Sequence, residues 1–311
     1  MTEKAVKDVL IVGGGPAGLT ALLWCNELGL SATLIDRRSE LGGQLLWINN
    51  EIRNYPGRIT KNGRELRDHF LSNFDSLEQV RLNSEVVSFD ASKISATLGD
   101  GTVLTARSAI IATGLRRRRL GIPGELEFVG RGILESGAGQ RELAKGRRVA
   151  IIGGGDAALE NALILSEFAE KVFVIHRRSQ FRARHKFVEQ LTQKNNVEIL
   201  FDYIVTSIRG DESVRLVEVI TSNIPDNRRS SDVASTSISV DLVLVRIGFE
   251  PNTELFRNQL DLDANGYVVV DHTGQTSTAN IFAVGDVTSR ETPIIAGAVG
   301  AAAIAVKSLS G

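Results

Sequence analysis

Two glycine runs, each followed at a distance by charged residues, carry the clearest chemistry in this sequence. Gly13-Gly14-Gly15-Pro16-Ala17-Gly18 fits G-x-G-x-x-G and follows the apolar run DVLIV at 8–12. In that setting Gly13 permits a tight turn, Gly15 lets the backbone approach a pyrophosphate, and Gly18 allows close helix packing. A helix starting there offers amide donors and the positive end of its dipole to an anion. Asp36 ends the next apolar run, where a carboxylate accepts hydrogen bonds from a ribose diol. The pattern predicts a dinucleotide site, and a merely structural turn is the competing reading.

A second run, GGGDAA at 153–158, repeats the arrangement with Ala158 in the third place. Its following strand ends differently, with His176, Arg177 and Arg178, then Arg182, where a ribose-binding acid would stand. A guanidinium pairs bidentately with phosphate, whereas an acid would repel a 2′-phosphate, so NADPH is expected rather than NADH. A solvated basic face beside a helix start is the alternative. Cys25 is the single cysteine, which excludes an internal disulfide, a CxxC pair and a multi-thiolate zinc site. Within LTALLWCNELG a buried thiol behaves as a small apolar residue rather than a redox centre. No HExxH, no His/Cys cluster at metal-ligand spacing and no supported Ser/His/Asp arrangement stands out.

The elements that must position these residues form one unit used twice: apolar strand, glycine turn, amphipathic helix, second strand ending in charge. The copies are Asp8–Arg38 and Arg148–Arg178. A continuous apolar run before each turn suits a parallel strand covered on both faces, and the spacing after it suits a packed helix. Together they predict an α/β fold of two doubly wound, Rossmann-like dinucleotide-binding domains. Residues 85–106 alternate around Gly99-Asp100-Gly101, as a hairpin or meander would. Strand character recurs at 197–220 and 237–245, separated by the polar stretch 223–235, expected to be a solvated loop. IFAVGDV at 281–287 predicts another buried strand, followed by a buried Ala/Gly-rich helix over 293–306. Because the first copy and this C-terminal segment flank the second copy, the second domain is expected to be inserted in the first.

A length of 311 residues suits about two domains. With 36 Lys+Arg against 37 Asp+Glu, interspersed, the chain lacks the bulk positive field that nucleic acid or an anionic membrane surface attracts. The longest weakly polar run, 293–306, is 14 residues, short of the ~18–20 that span a bilayer. MTEKAVKDVLIVGGG shows no apolar leader with a small-residue cleavage site, so a cytoplasmic chain starting here is expected.

Seven motifs in order, GGGPAG (13–18), GGQL (42–45), NYPG (54–57), IIATG (110–114), GGGDAA (153–158), HRRSQFRA (176–183) and FAVGDVT (282–288), cover nearly the whole chain. This set resembles the low-molecular-weight thioredoxin reductases, two-domain FAD/NADPH flavoproteins. The resemblance implies that Gly13, Gly15, Pro16, Ala17, Gly18, Asp36, Gly43, Gln44, Leu45, Asn54, Ala112, Thr113 and Gly114 hold FAD. Gly285 and Asp286 would meet its ribityl chain, and Pro293 and Ile294 would lie at the flavin's pyrimidine edge. Gly153, Gly155, Asp156, Ala157, His176, Arg177, Arg178 and Arg182 would hold NADPH. It also implies an FAD domain of residues 1–115 and 246–311, an inserted NADPH domain of 116–245, hinges at Gly114-Leu115 and near Gly248-Phe249, and a homodimer.

The sequence departs from that family at its reaction centre. Where thioredoxin reductases carry CxxC, 14 residues before the NADPH fingerprint, this chain reads Ser136-Gly137-Ala138-Gly139. A serine hydroxyl cannot cycle between dithiol and disulfide. After GDVT, the family's Arg-Gln-Ala is replaced by Thr292-Pro293-Ile294, leaving mostly backbone amides for the flavin edge. Trp47 reads either as a ring near the isoalloxazine or as core packing, and Arg116–Arg119 as a solvated face or a draw for an acidic partner or second phosphate. The resemblance therefore implies an oxidoreductase in which hydride passes from NADPH to flavin, and electrons then reach a small molecule or small redox protein rather than a disulfide of its own. Three alternatives stay open: a ferredoxin or flavodoxin NADP⁺ reductase, whose C-terminal tail is generally longer; a second flavin in place of NADPH; and a redox sensor without turnover.

Overall fold

The computed structural model describes residues 6–222, 235–289 and 293–309. Thr292 and the polar stretch at 223–234 therefore lie outside the described residues. The fold is α/β. Described residues up to Arg116 and from Glu250 make one compact unit, and Arg117–Phe249 another. These junctions lie one and four residues from those expected, for local reasons. Arg116 is ion-paired to Glu250 and Glu254, while Arg246 still donates its backbone N–H to Ile152 O at 2.7 Å.

In the first unit, strand Lys7–Val12 lies between Ala32–Ile35 and Val103–Ile111, parallel to both. Ile281–Ala283 pairs in parallel with the far side of Val103–Ile111. The alternation of the strand explains its unbroken hydrophobicity. Val9 and Ile11 pack with Leu19, Leu22 and Ala302, whereas Leu10 faces Phe89, Phe256 and Ile281. From Val9 to Val12 both faces are covered, so each of these residues must be apolar. The 85–106 segment forms antiparallel strands Val86–Asp90 and Ser95–Leu98 against the start of Val103–Ile111.

Helix Pro16–Glu27 departs from the expected amphipathic pattern. Seven of its residues, Ala17 to Leu22 and Cys25, are buried, because helix Ile295–Leu309 covers the side turned away from the sheet. That C-terminal helix is itself less buried than expected. Ala298, Ala302, Ala305 and Val306 face the core, but Ile304 is 49% exposed.

The second unit is a parallel sheet in the order Val197–Phe201, Lys171–His176, Arg148–Ile152, Leu242–Val245, Ile133–Leu134. Here helix Asp156–Ser166 is amphipathic, burying Ala158, Leu159, Ala162 and Leu165 against Val149 and Ile151. The opposite face is covered by antiparallel strands Tyr203–Gly210, Val214–Thr221 and Thr236–Ser239 rather than by helices, with Val205, Ile208 and Val217 packed on Ala150 and Ile152. Among the described residues no helix is long and apolar enough to cross a membrane.

Candidate functional site

The first glycine turn borders a cavity of about 550 Å³ lined only by residues of the first unit. Two of its glycines are required by the fold. Gly13 has φ +110°, and a Cβ there would stand 2.3 Å from Ala112 O; a Cβ on Gly18 would stand 1.8 Å from Gly13 O. Gly15 differs, because its nearest neighbour would be Gly43 Cα at 3.8 Å. Its missing side chain leaves open space on the cavity side. As N-cap of helix Pro16–Glu27, Gly15 supplies no side-chain acceptor, so the first-turn amides remain available to a ligand anion.

Asp36 is fixed at the end of Ala32–Ile35 by two backbone donors, Gly14 N to Oδ2 at 2.7 Å and Arg38 N to Oδ1 at 2.8 Å. Asp286 lines the same cavity and accepts from Gln44 Nε2 at 3.1 Å; burial raises its pKa. Thr113 and Asn252 hold each other, Thr113 Oγ1 donating to Asn252 O and Asn252 Nδ2 to Thr113 O, both at 2.8 Å.

Most sequence-predicted residues of the first group meet here. Gly13, Gly15, Pro16, Ala17, Asp36, Gly43, Gln44, Leu45, Ala112, Thr113, Gly114, Asp286, Pro293 and Ile294 all line the cavity. Gly18 and Gly285 support it from behind, and Asn54 is exposed outside the lining. Trp47 is 45% exposed, which corrects the core-packing alternative, and the Arg38 guanidinium lies 5.8 Å from its ring centroid. Sequence reasoning missed Arg38, Asn252 and Glu254 in the lining. It also read Arg116 as part of a free basic run, whereas Glu250 and Glu254 neutralise it.

In the second unit, a Cβ on Gly153 would stand 2.1 Å from Arg246 O, whereas Gly155 has no atom within 4 Å of that position. Asp156 does not stand free: it accepts from Arg184 N and Nε, each at 2.7 Å. Arg182 N donates to Gly154 O at 2.8 Å, tying the 177–184 loop over the turn. Ala157 is exposed on the first turn of the helix. Arg177, Arg178 and Arg182 are exposed, and none has a carboxylate partner among the described residues. His176 is buried with Nε2 unpartnered, and burial together with those three arginines lowers its pKa.

The Ser136–Gly139 segment is a closed turn. Ser136 Oγ accepts from Gly139 N at 3.0 Å, and Gln140 Oε1 accepts from Glu135 N and Ser136 N. Cys25 is fully buried in the first helix, and desolvation pushes its thiol up to about 12. Among the described residues no three His, Cys, Asp or Glu side chains gather as a metal site.

Residues 7–306 match the family described as pyridine nucleotide-disulphide oxidoreductase. The chain is 33% identical over 289 residues to a thioredoxin reductase of Streptomyces coelicolor, covering 91% of this chain and 86% of that one. It is similar to the crystal structure of Lactococcus lactis thioredoxin reductase, with a TM-score of 0.79 at 28% identity over 98% of both chains. The T. acidophilum thioredoxin reductase structure gives 0.77 at 28% identity, again over 98% of each.

Proposed function

The chain belongs to the pyridine nucleotide-disulphide oxidoreductase family, and on that premise we propose that it passes electrons from NADPH to an acceptor other than a disulfide of its own. It is an FAD-dependent NAD(P)H oxidoreductase of the thioredoxin reductase type. The family's cofactors are FAD and NADPH.

The first-unit cavity suits FAD on chemical grounds. Gly15 leaves room for a pyrophosphate at a helix N-terminus, Asp36 is held ready to accept from ribose hydroxyls, and Asp286 with Gln44 offers polar contacts to a polyol chain. When bound, the flavin supplies the two-electron chemistry linking NADPH to the acceptor. In the second unit, open space at Gly155 and the exposed Arg177, Arg178 and Arg182 suit a nucleotide with a 2′-phosphate. Residues 1–116 with 250–311 would then form the FAD domain and 117–249 the NADPH domain.

The observation that carries the proposal is the state of Cys25. It is the single sulfhydryl, it is sealed among Leu22, Ala302 and their neighbours, and its pKa of about 12 keeps it protonated. A serine and a glycine stand at the ends of the turn where the family resemblance would place a dithiol. The acceptor is a small molecule or a small redox protein, and the enzyme acts as a homodimer.

Anaerobic stopped-flow mixing of holoprotein with NADPH tests this reading. Rapid bleaching of the visible flavin band is expected, followed by reoxidation with quinones or ferric chelates but not with thioredoxin disulfide. An oxidised spectrum lasting minutes, or steady turnover of thioredoxin without added thiol, would overturn it.

A further inference from the structure

Arg246 is a buried cation with no anion beside it among the described residues. It follows strand Leu242–Val245 and is only 7% exposed, yet among the described residues its guanidinium donates solely to two carbonyl oxygens, Val245 O at 2.8 Å and Glu135 O at 2.9 Å. Among the described residues no carboxylate pairs with it. The charge whose field acts on it is a second cation, Arg117, which reaches solvent and lies 5.3 Å from the Phe249 ring centroid. Burial and Arg117 pull its pKa down to about 9, which leaves it charged at neutral pH. An unpaired interior charge is costly, and an external anion at this point would offset that cost.

Its place in the sheet says where that anion lies. Ile133–Leu134, Leu242–Val245 and Arg148–Ile152 run parallel as neighbours. Their carboxyl ends gather Glu135 and the Ser136–Gly139 turn, Arg246, and the second glycine turn at one edge. Carboxyl edges of parallel sheets are where ligands of doubly wound folds bind. The basic group of Arg177, Arg178 and Arg182 follows Lys171–His176, two strands from Arg246, and its loop returns to the glycine turn through Arg182 N and Gly154 O. With strands about 4.8 Å apart, Arg246 is roughly 10 Å from the end of that strand.

We propose that Arg246, reinforced by Arg117, binds a carboxylate or phosphate of the electron acceptor beside the Ser136–Gly139 turn. This deepens the reading of the chain as an NADPH-dependent flavoprotein by giving its acceptor a chemical class, a small anion in place of a protein disulfide.

The test compares wild-type holoenzyme with Arg246→Gln and Arg246→Lys, using NADPH and two naphthoquinones, one neutral and one bearing a carboxylate. Losing a charge-assisted hydrogen bond worth about 1.5–3 kcal/mol predicts that the charged-to-neutral ratio of kcat/KM falls about ten- to hundredfold in the Gln variant. The Lys variant should recover part of it. An unchanged ratio would overturn the proposal, as would a rise confined to the KM for NADPH, which would assign the anion to the nucleotide.

A second readout needs no turnover. Malonate or inorganic phosphate should raise the thermal midpoint of the wild-type holoprotein, and this shift should shrink in Arg246→Gln to the part that Arg177, Arg178 and Arg182 supply. No shift with either anion in the wild type would also overturn the proposal. If Arg246→Gln fails to fold, Arg117→Gln at its exposed position should lower the same ratio severalfold. Failure of NADPH to reduce the flavin would count against the oxidoreductase reading and leave the anion titration to judge Arg246 by itself.

Discussion

Gly14 donates its backbone N–H to Asp36 Oδ2 at 2.7 Å, so the side chain that ends the second strand holds up the middle of the glycine turn. The second unit puts His176 at the same point. There the imidazole lies against Gly154, whose Cβ would come 2.4 Å from its Cε1. The two turns thus share a support but not its charge. On the proposed reading Asp36 would present acceptors toward a ribose, whereas burial, by lowering the pKa of His176, would leave the surrounding arginines to meet a phosphate.

Removing the first support should release the flavin. Asp36→Ala takes an acceptor from both Gly14 N and Arg38 N, and charge-assisted hydrogen bonds are worth about 1.5–3 kcal/mol each. The expected result is at least a tenfold rise in the dissociation constant for FAD, read from the visible-to-ultraviolet absorbance ratio during dialysis. Full retention of colour by this variant would show that Asp36 does not contact the cofactor.

The glycines separate folding from binding. Gly13→Ala forces a Cβ to within 2.3 Å of Ala112 O at a φ of +110°, so it should destabilise the fold by several kcal/mol. Gly15→Ala and Gly155→Ala meet no atom closer than 3.8 Å. Both should leave the apoprotein's thermal midpoint within a few degrees. The first should weaken FAD binding and the second should raise the KM for NADPH. If either variant binds its nucleotide as the parent does, the phosphate lies elsewhere.

What the sequence revealed and what it hid follow from the range of the interactions involved. The turns were legible because backbone geometry admits only glycine at Gly13 and Gly153. Both core strands were legible because each is covered on two faces. The burial of helix Pro16–Glu27 was not, since its cover comes from Ile295–Leu309, far along the chain. Arg116 was misread for the same reason: its partners Glu250 and Glu254 lie more than a hundred residues away. Arg246 leaves a local trace, a lone charge closing the apolar run LVLV, but in sequence such a charge is indistinguishable from the ordinary end of a strand.

Nucleotide choice should follow the free arginines. Substituting Arg177 and Arg178 by Ala removes guanidiniums that have no carboxylate partner among the described residues, so little stability should be lost. Steady-state assays should show the KM for NADPH rising at least about tenfold while that for NADH stays within about twofold. Parallel increases for both nucleotides would remove the 2′-phosphate from this position.

Cys25 yields a pH dependence with a definite sign. Its thiol ionises near 9.0 when the chain is unfolded and at about 12 in the folded protein. Below pH 9 both states keep the proton and nothing changes. Between these values the unfolded chain gives up a proton that the native one retains, so stability falls as pH rises through that window. Cys25→Ala should flatten this part of the decline in thermal midpoint without altering the curve's shape at neutral pH. The same burial predicts that Ellman's reagent at pH 8 titrates no thiol in native protein and one per chain after denaturation, with NADPH oxidation unaffected by the reagent. Fast native labelling accompanied by loss of activity would return a sulfur to the electron path.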